Sequence, residues 1–175
     1  MNLEMFWELI DRAKQEANGS REKQITILID MLVDFELKDI IEFQALYVQK
    51  QNESYSLLMW DVCEFITCGG GEQNFLNFRA WLISQGKNVF TKALENPDSL
   101  HEVLDSATRE EASYELFSYV ALRAYDVKTG KKDELPATFP HAYAGSPSGK
   151  GLSPTQSIQE VFPNLYSKLG ECPEY

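Results

Sequence analysis

Positive charge is scarce in this chain. Against 27 aspartates and glutamates stand only 16 lysines and arginines, a formal charge of -11 over 175 residues. Such a surface repels phosphate backbones and anionic lipid headgroups, which argues against nucleic acid and membrane as partners. Long apolar runs are also missing, so no segment reads as a bilayer span. The start, Met1 to Glu8, lacks the basic region, apolar core and cleavage site of a secretory leader. A cytoplasmic setting is expected. Cysteine is limited to Cys63, Cys68 and Cys172. An odd number without framework spacing, two of them on one expected helix, reads as reduced thiols in a reducing compartment.

Several chemistries lack their residues. The two histidines, His101 and His141, stand in separate segments with no Cys-x-x-Cys or His-Glu-x-x-His beside them. No metal and no cofactor is therefore expected. No cysteine has an identifiable base to activate it as a nucleophile. Gly69-Gly70-Gly71-Glu72 opens a helix, but no strand precedes it and Glu72 would oppose a phosphate. It reads as an interhelical turn whose glycines take the left-handed conformation. Gly145 to Gly151 has the wrong spacing for a phosphate loop.

What is present is helical periodicity. Leu3, Phe6, Ile10, Ala13 and Ala17 recur every three or four residues up to Asn18-Gly19. From Ser20 to Asp34, Ile25, Leu28, Ile29 and Leu32 follow a helical stripe, yet Ile25, Ile27, Ile29, Met31 and Val33 also alternate as in a strand. Periodicity leaves both open, and helix is favoured because a single short strand would lack a partner. Further helices are expected around Ile40–Val48, Tyr55–Thr67, Glu72–Gln85 and Val89–Leu94. The Ser/Thr-x-x-Glu pairs Ser99/Glu102 and Thr108/Glu111 mark two more starts, the second opening a long helix to Gly130. From Lys131 to Pro154, proline and glycine alternate as in a connector. Ser153-Pro154-Thr155-Gln156 then reads as the start of a short helix that Pro163 ends. The expectation is an all-α, single-domain bundle of about seven helices. It comprises a helical domain over 1–130, a Pro/Gly-rich connector over 131–154, and a short C-terminal helix and tail over 155–175, packed on the domain.

The Trp60-Asp61 pair, the glycine break after Cys68, and Phe75-x-x-Phe78-Arg79-Ala80-Trp81-Leu82-Ile83-x-Gln85-Gly86 resemble the bacterial family catalogued as domain of unknown function 4240. So do Phe6-Trp7 with Ile10-Asp11-Arg12-Ala13, and Asn96-Pro97-Asp98-Ser99-Leu100. Phe162-Pro163-Asn164-Leu165-Tyr166 is similar to a short C-terminal motif of such proteins. The resemblance implies a small helical protein with no assigned activity. Some members carry a nucleic-acid-associated domain that this sequence lacks.

Arg79 carries the sharpest functional question, because a guanidinium among Phe75, Phe78, Leu82 and Ile83 must be buried and needs compensation. Asp61 on the preceding helix is its expected partner, with Glu64 and Cys68 on the same stripe. The candidate binding residues are Trp60, Asp61, Glu64, Glu72, Phe75, Arg79 and Trp81, and no catalytic residue is assigned. Glu110, Glu111 and Glu115 with Tyr114, Tyr119 and Tyr125 form an acidic, aromatic face, either solvated or partner-binding. The functional expectation is a non-catalytic, acidic protein-interaction module, serving as accessory, regulatory or neutralising partner of another, basic protein. The alternative is a small-molecule-binding protein or enzyme with its site around Asp61, Glu72, Arg79 and Trp81. Oligomeric state is not legible.

Overall fold

Local signals account for most of the helix starts. In the computed structural model, which describes residues 1–132, 134–141 and 145–172, α1 (Leu3–Ala17) begins where the Asn2 side chain accepts from the Met5 amide, and it ends on left-handed Asn18. Ser20 caps α2 (Arg21–Val33) and Ser56 caps α4 (Leu57–Thr67) by the same side-chain bond to the backbone. Between them lies α3 (Leu37–Glu53). The next helices, α5 (Glu72–Ser84) and α6 (Lys87–Glu95), follow Gly71 and Gly86, both at positive φ. A Cβ at Gly86 would collide with the Asp11 carboxylate, which accepts from the Lys87 amide at 3.2 Å. No strand occurs among the described residues, and the fold is all-α.

The ambiguous segment at Ile25 to Val33 is helical, and its neighbours explain the double pattern. α2 packs on both α1 and α7 (Val120–Thr129). Ile25, Leu28 and Leu32 are buried, while Ile27, Ile29, Met31 and Val33 pack half-buried around them. A helix clasped from two sides carries apolar residues on most of its circumference, which blurs its period. One continuous hydrophobic cluster joins the helices. In it the Phe6 ring lies 4.8 Å from Phe43, and Trp7 lies 5.2 Å from Phe90.

Several expectations need correction. The segment after Pro97 is a 3₁₀ turn (Pro97–Glu102) capped by Asn96 rather than by Ser99. The long helix from Thr108 does not form. Its first half is two 3₁₀ turns, Arg109–Glu111 and Glu115–Tyr119, and α-helix begins only at Val120. The reason is tertiary: Arg109 turns into the core, and the Tyr114 amide donates to the Asn77 carbonyl at 3.0 Å, so residues 109–114 cannot satisfy an i to i-4 ladder. In the glycine break, positive φ falls on Cys68 and Gly71, not on Gly69 or Gly70. A Cβ at Gly70 would stand 2.5 Å from a Glu64 side-chain oxygen, so the Glu64 carboxylate would have to shift.

Residues 133 and 142–144 of the expected connector and 173–175 of the tail lie outside the described residues. The rest of the connector is anchored. Ser148 donates to the Tyr55 carbonyl at 3.0 Å and accepts from the Leu57 amide at 2.9 Å. Phe139 is buried, and the Pro140 carbonyl accepts from Gln44 at 3.2 Å. Gln156 does reach back to the Ser153 amide, but the helix starts later, at a capping box of Ser157 and Glu160 that opens α8 (Ile158–Val161). Pro163, expected to end a helix, instead starts α9 (Pro163–Leu169), where its missing amide costs nothing. Phe162, Leu165 and Leu169 are buried, and the Asp98 carboxylate accepts from the Leu165 amide at 2.8 Å and the Asn164 side chain at 2.6 Å. Asp98 thus caps α9 from another part of the chain. The expected reduced thiols are corrected too: Cys68 and Cys172 form a disulfide with Cα atoms 5.5 Å apart, and Cys63 is a buried free thiol.

Candidate functional site

The Arg79 guanidinium sits in the middle of α5 at 5% exposure. Its expected ion pair with Asp61 does not form, and no carboxylate of the described residues lies within ion-pair distance. Compensation comes from backbone and rings instead. Nη1 donates to the Gln51 carbonyl at 2.7 Å and Nε to the Phe75 carbonyl at 3.4 Å. The guanidinium carbon lies 4.4 Å from the centre of the Tyr55 ring and 4.7 Å from that of Phe75. Gln51 belongs to the last turn of α3, where unpaired carbonyls concentrate negative charge. Arg79 is therefore the C-terminal cap of a neighbouring helix. Burial lowers its pKa, and Tyr55, Tyr47, Cys63 and Glu72 pull the other way. Behind it, Gln51 donates to the Tyr47 hydroxyl at 2.6 Å, which also shares a bond with Ser118 at 2.8 Å. Burial pushes Tyr47 and Cys63 each up to about 12. At that value the Cys63 thiol is no nucleophile.

The other candidate residues divide among several places. Asp61 accepts from the Leu152 amide at 2.6 Å, which fastens the connector to α4. Trp60 donates to Glu64 at 2.7 Å one turn on, and its ring lies 4.8 Å from Phe75. Trp60 and Glu72 do meet, with Tyr55 and Leu57, in an open hollow of about 390 Å³ closed on one side by Gly145, Ser146 and Pro147. Trp81 does not join them. It lines a separate cleft with Lys14, Arg21 and Tyr114. Seven candidates from one helical hairpin thus face a sealed core, an open hollow and a different cleft.

Sequence reasoning missed Arg109, a second buried guanidinium at 6% exposure. It donates to the carbonyls of Phe65 at 2.7 Å and Ile66 at 3.0 Å at the end of α4, and to Leu169 at 3.2 Å at the end of α9. Its Nη2 also lies 3.5 Å from Cys172 Sγ. Nothing in the local pattern marked it, because Glu110 and Glu111 beside it are exposed and suggest a solvated face. Large apolar side chains are exposed singly at Leu3, Leu37, Leu57 and Val127, and two stand together on one turn near Tyr119. On the turn Glu115–Tyr119, Leu116 is 47% and Tyr119 42% exposed. Leu116 borders a hollow of about 270 Å³ with Glu22, Ile25 and Tyr114. Tyr119 borders another of about 180 Å³ with Val48, Gln73, Leu76 and Ser118.

Among the described residues no cluster of three or more His, Cys, Asp or Glu side chains could hold a metal ion. No helix among them is long and apolar enough to cross a membrane. No match was found among curated proteins or solved structures. A family model described as "Protein of unknown function (DUF4240)" matches residues 1–127, which include α1 to α6, Arg79 and the Leu116–Tyr119 ridge, and the chain belongs to that family.

Proposed function

We propose that this protein is a non-catalytic interaction module that docks a basic protein on the face running from Glu22 past Leu116 and Tyr119 toward Glu72. The carrying observation is the ridge itself: a leucine and a tyrosine on one 3₁₀ turn, exposed by 47% and 42%, with a hollow on either side. Anchors of this kind contribute most of the energy of an interface, and adjacent hollows receive the anchors of the other side. Exposed Glu22 and Glu115 rim the ridge, and the net charge of -11 steers a partner of opposite sign. The role is accessory, regulatory or neutralising.

The competing site around Asp61, Glu72, Arg79 and Trp81 has less support, because those groups point to different places and Arg79 and Asp61 are spent on backbone atoms. The Cys68–Cys172 bond weighs against the cytoplasmic setting expected from composition, since disulfides persist mainly in oxidising compartments. The docking proposal does not depend on the compartment.

The test is affinity capture from the native cell with the wild-type chain and with Leu116→Ser/Tyr119→Ser. The expected result is a basic protein retained by the wild type, lost by the double variant, and released as salt rises. Equal capture by both chains, or capture only of acidic proteins insensitive to salt, overturns the proposal.

A further inference from the structure

In an acidic protein, two cations line one cleft without a carboxylate bonded to either. The cleft, of about 230 Å³, lies between the end of α1, the start of α2 and the turns after Val103. Lys14 and Arg21 stand on its wall with Gln24, Trp81, Val103 and Leu104, and Glu111 and Tyr114 face them. Lys14 spends two N–H groups on Gln85, on the backbone carbonyl and the side-chain oxygen, both at 2.9 Å. Arg21 donates to the Ser113 carbonyl and lies 4.0 Å over the Tyr114 ring. Neither has an ion pair among the described residues. Neutral acceptors use up N–H groups, and the carboxylates of Asp11 near Lys14 and Glu111 in the lining compensate the positive charge without bonding to it. Burial lowers the Lys14 pKa, and the nearby Asp11 carboxylate pulls the other way.

We propose that this cleft binds a small carboxylate with an apolar body, its carboxylate between Lys14 and Arg21 and its body against Trp81, Val103 and Leu104. Size limits the ligand, since drug-sized pockets run from about 300 to 1,000 Å³. Phosphate esters fit less well, because Glu111 in the lining repels a dianion and Trp81, Val103 and Leu104 offer it no hydrogen-bond donors beyond the indole. Two sources share this chemistry: a simple branched-chain acid, and an α-amino acid whose ammonium meets Glu111. The site is separate from the Leu116–Tyr119 ridge, with Arg21 and Tyr114 forming the wall between them.

Three probes with the same branched carbon skeleton test it by two-dimensional NMR titration of the full chain: 4-methylpentanoate, L-leucine and 3-methylbutylamine. Saturable shifts are expected for the acid or for leucine at amides of residues 17–24 and 103–111, with none for the amine. Tighter binding of leucine identifies the amino-acid source, and tighter binding of the acid the simple one. Lys14→Met should weaken binding about tenfold or more, and Lys14→Arg should retain it. Val103→Trp, which fills the cleft and removes no charge, should abolish binding and stands in should Lys14→Met fail to fold. Absence of saturable shifts with both carboxylates, equal affinity in Lys14→Met, or binding of the amine as tightly as the acids overturns the proposal.

Discussion

A buried guanidinium is normally explained by a carboxylate, and Arg79 is explained here by a helix end. Arg79 holds the last turn of α3 through the Gln51 carbonyl, and Arg109 holds the last turns of α4 and α9. The same solution recurs nearer the surface, where Lys128 donates to the Val33 carbonyl at 2.7 Å at the end of α2. Helix C-termini supply partial negative charge and orphan acceptors together, so Arg79 satisfies both needs without the desolvation of a second ion. Faces of aromatic rings add about 2 kcal/mol where water is excluded, as at Tyr55 and Phe75 around Arg79. Arg79→Met is expected to cost about 1–3 kcal/mol by denaturant unfolding, the penalty of taking the charged donor from the Gln51 carbonyl and leaving it only the Ser54 hydroxyl. Adding Asp61→Leu should bring no rescue. Its own cost adds to within about 0.5 kcal/mol, because the two side chains share no partner. Recovery in the double variant would mean that Arg79 and Asp61 pair in solution after all.

Elements show where local signals were obeyed and where they were overruled. Ser20, Ser56 and Ser157 each start a helix as their residue type suggests, since an N-cap bond reaches only three residues along the chain. Thr108 does not, although it has the right spacing to Glu111. Its hydroxyl donates to Asp105 at 3.0 Å while Arg109 and Tyr114 are drawn to α4 and α5. Proline and glycine in 131–154 foretold the lack of helix but not the docking, which rests on Ser148 against the start of α4 and Leu152 on Asp61. Limited trypsin digestion should therefore cut after Lys131 or Lys132 well before Lys150, which lies between those two anchors. Asp61→Ala should remove one anchor and speed cleavage at Lys150. Cleavage at Lys150 as fast as at Lys131 in the wild type would mean that the anchors do not hold in solution.

At the scale of the molecule, the Cys68–Cys172 bond ties the end of α4 to the chain beyond α9, closing a loop over a sequence separation of 104. A loop that long removes much of the freedom of the unfolded chain. Reduction, or Cys172→Ser, should thus lower unfolding stability by about 2–4 kcal/mol and shift the thermal midpoint down. An unchanged midpoint would show that the bond is not formed in solution. Charge is organised at this scale as well: acidic residues outnumber basic ones by 27 to 16, and buried Arg79 and Arg109 add no positive charge to the surface. The proposed docking of a basic partner at Leu116 and Tyr119 requires such a surplus. The sequence alone determined what depends on composition and short spacing, namely the all-α class, the family, most helix starts, the acidic character and the burial of Arg79. Tertiary structure decided what depends on meetings across long separations. Those are the acceptors of Arg79, the inward turn of Arg109, the pairing of Cys68 with Cys172 and the separation of Trp81 from Trp60. Periodicity reports which face of a helix is buried, whereas the atom waiting there comes from a segment whose position no local pattern encodes.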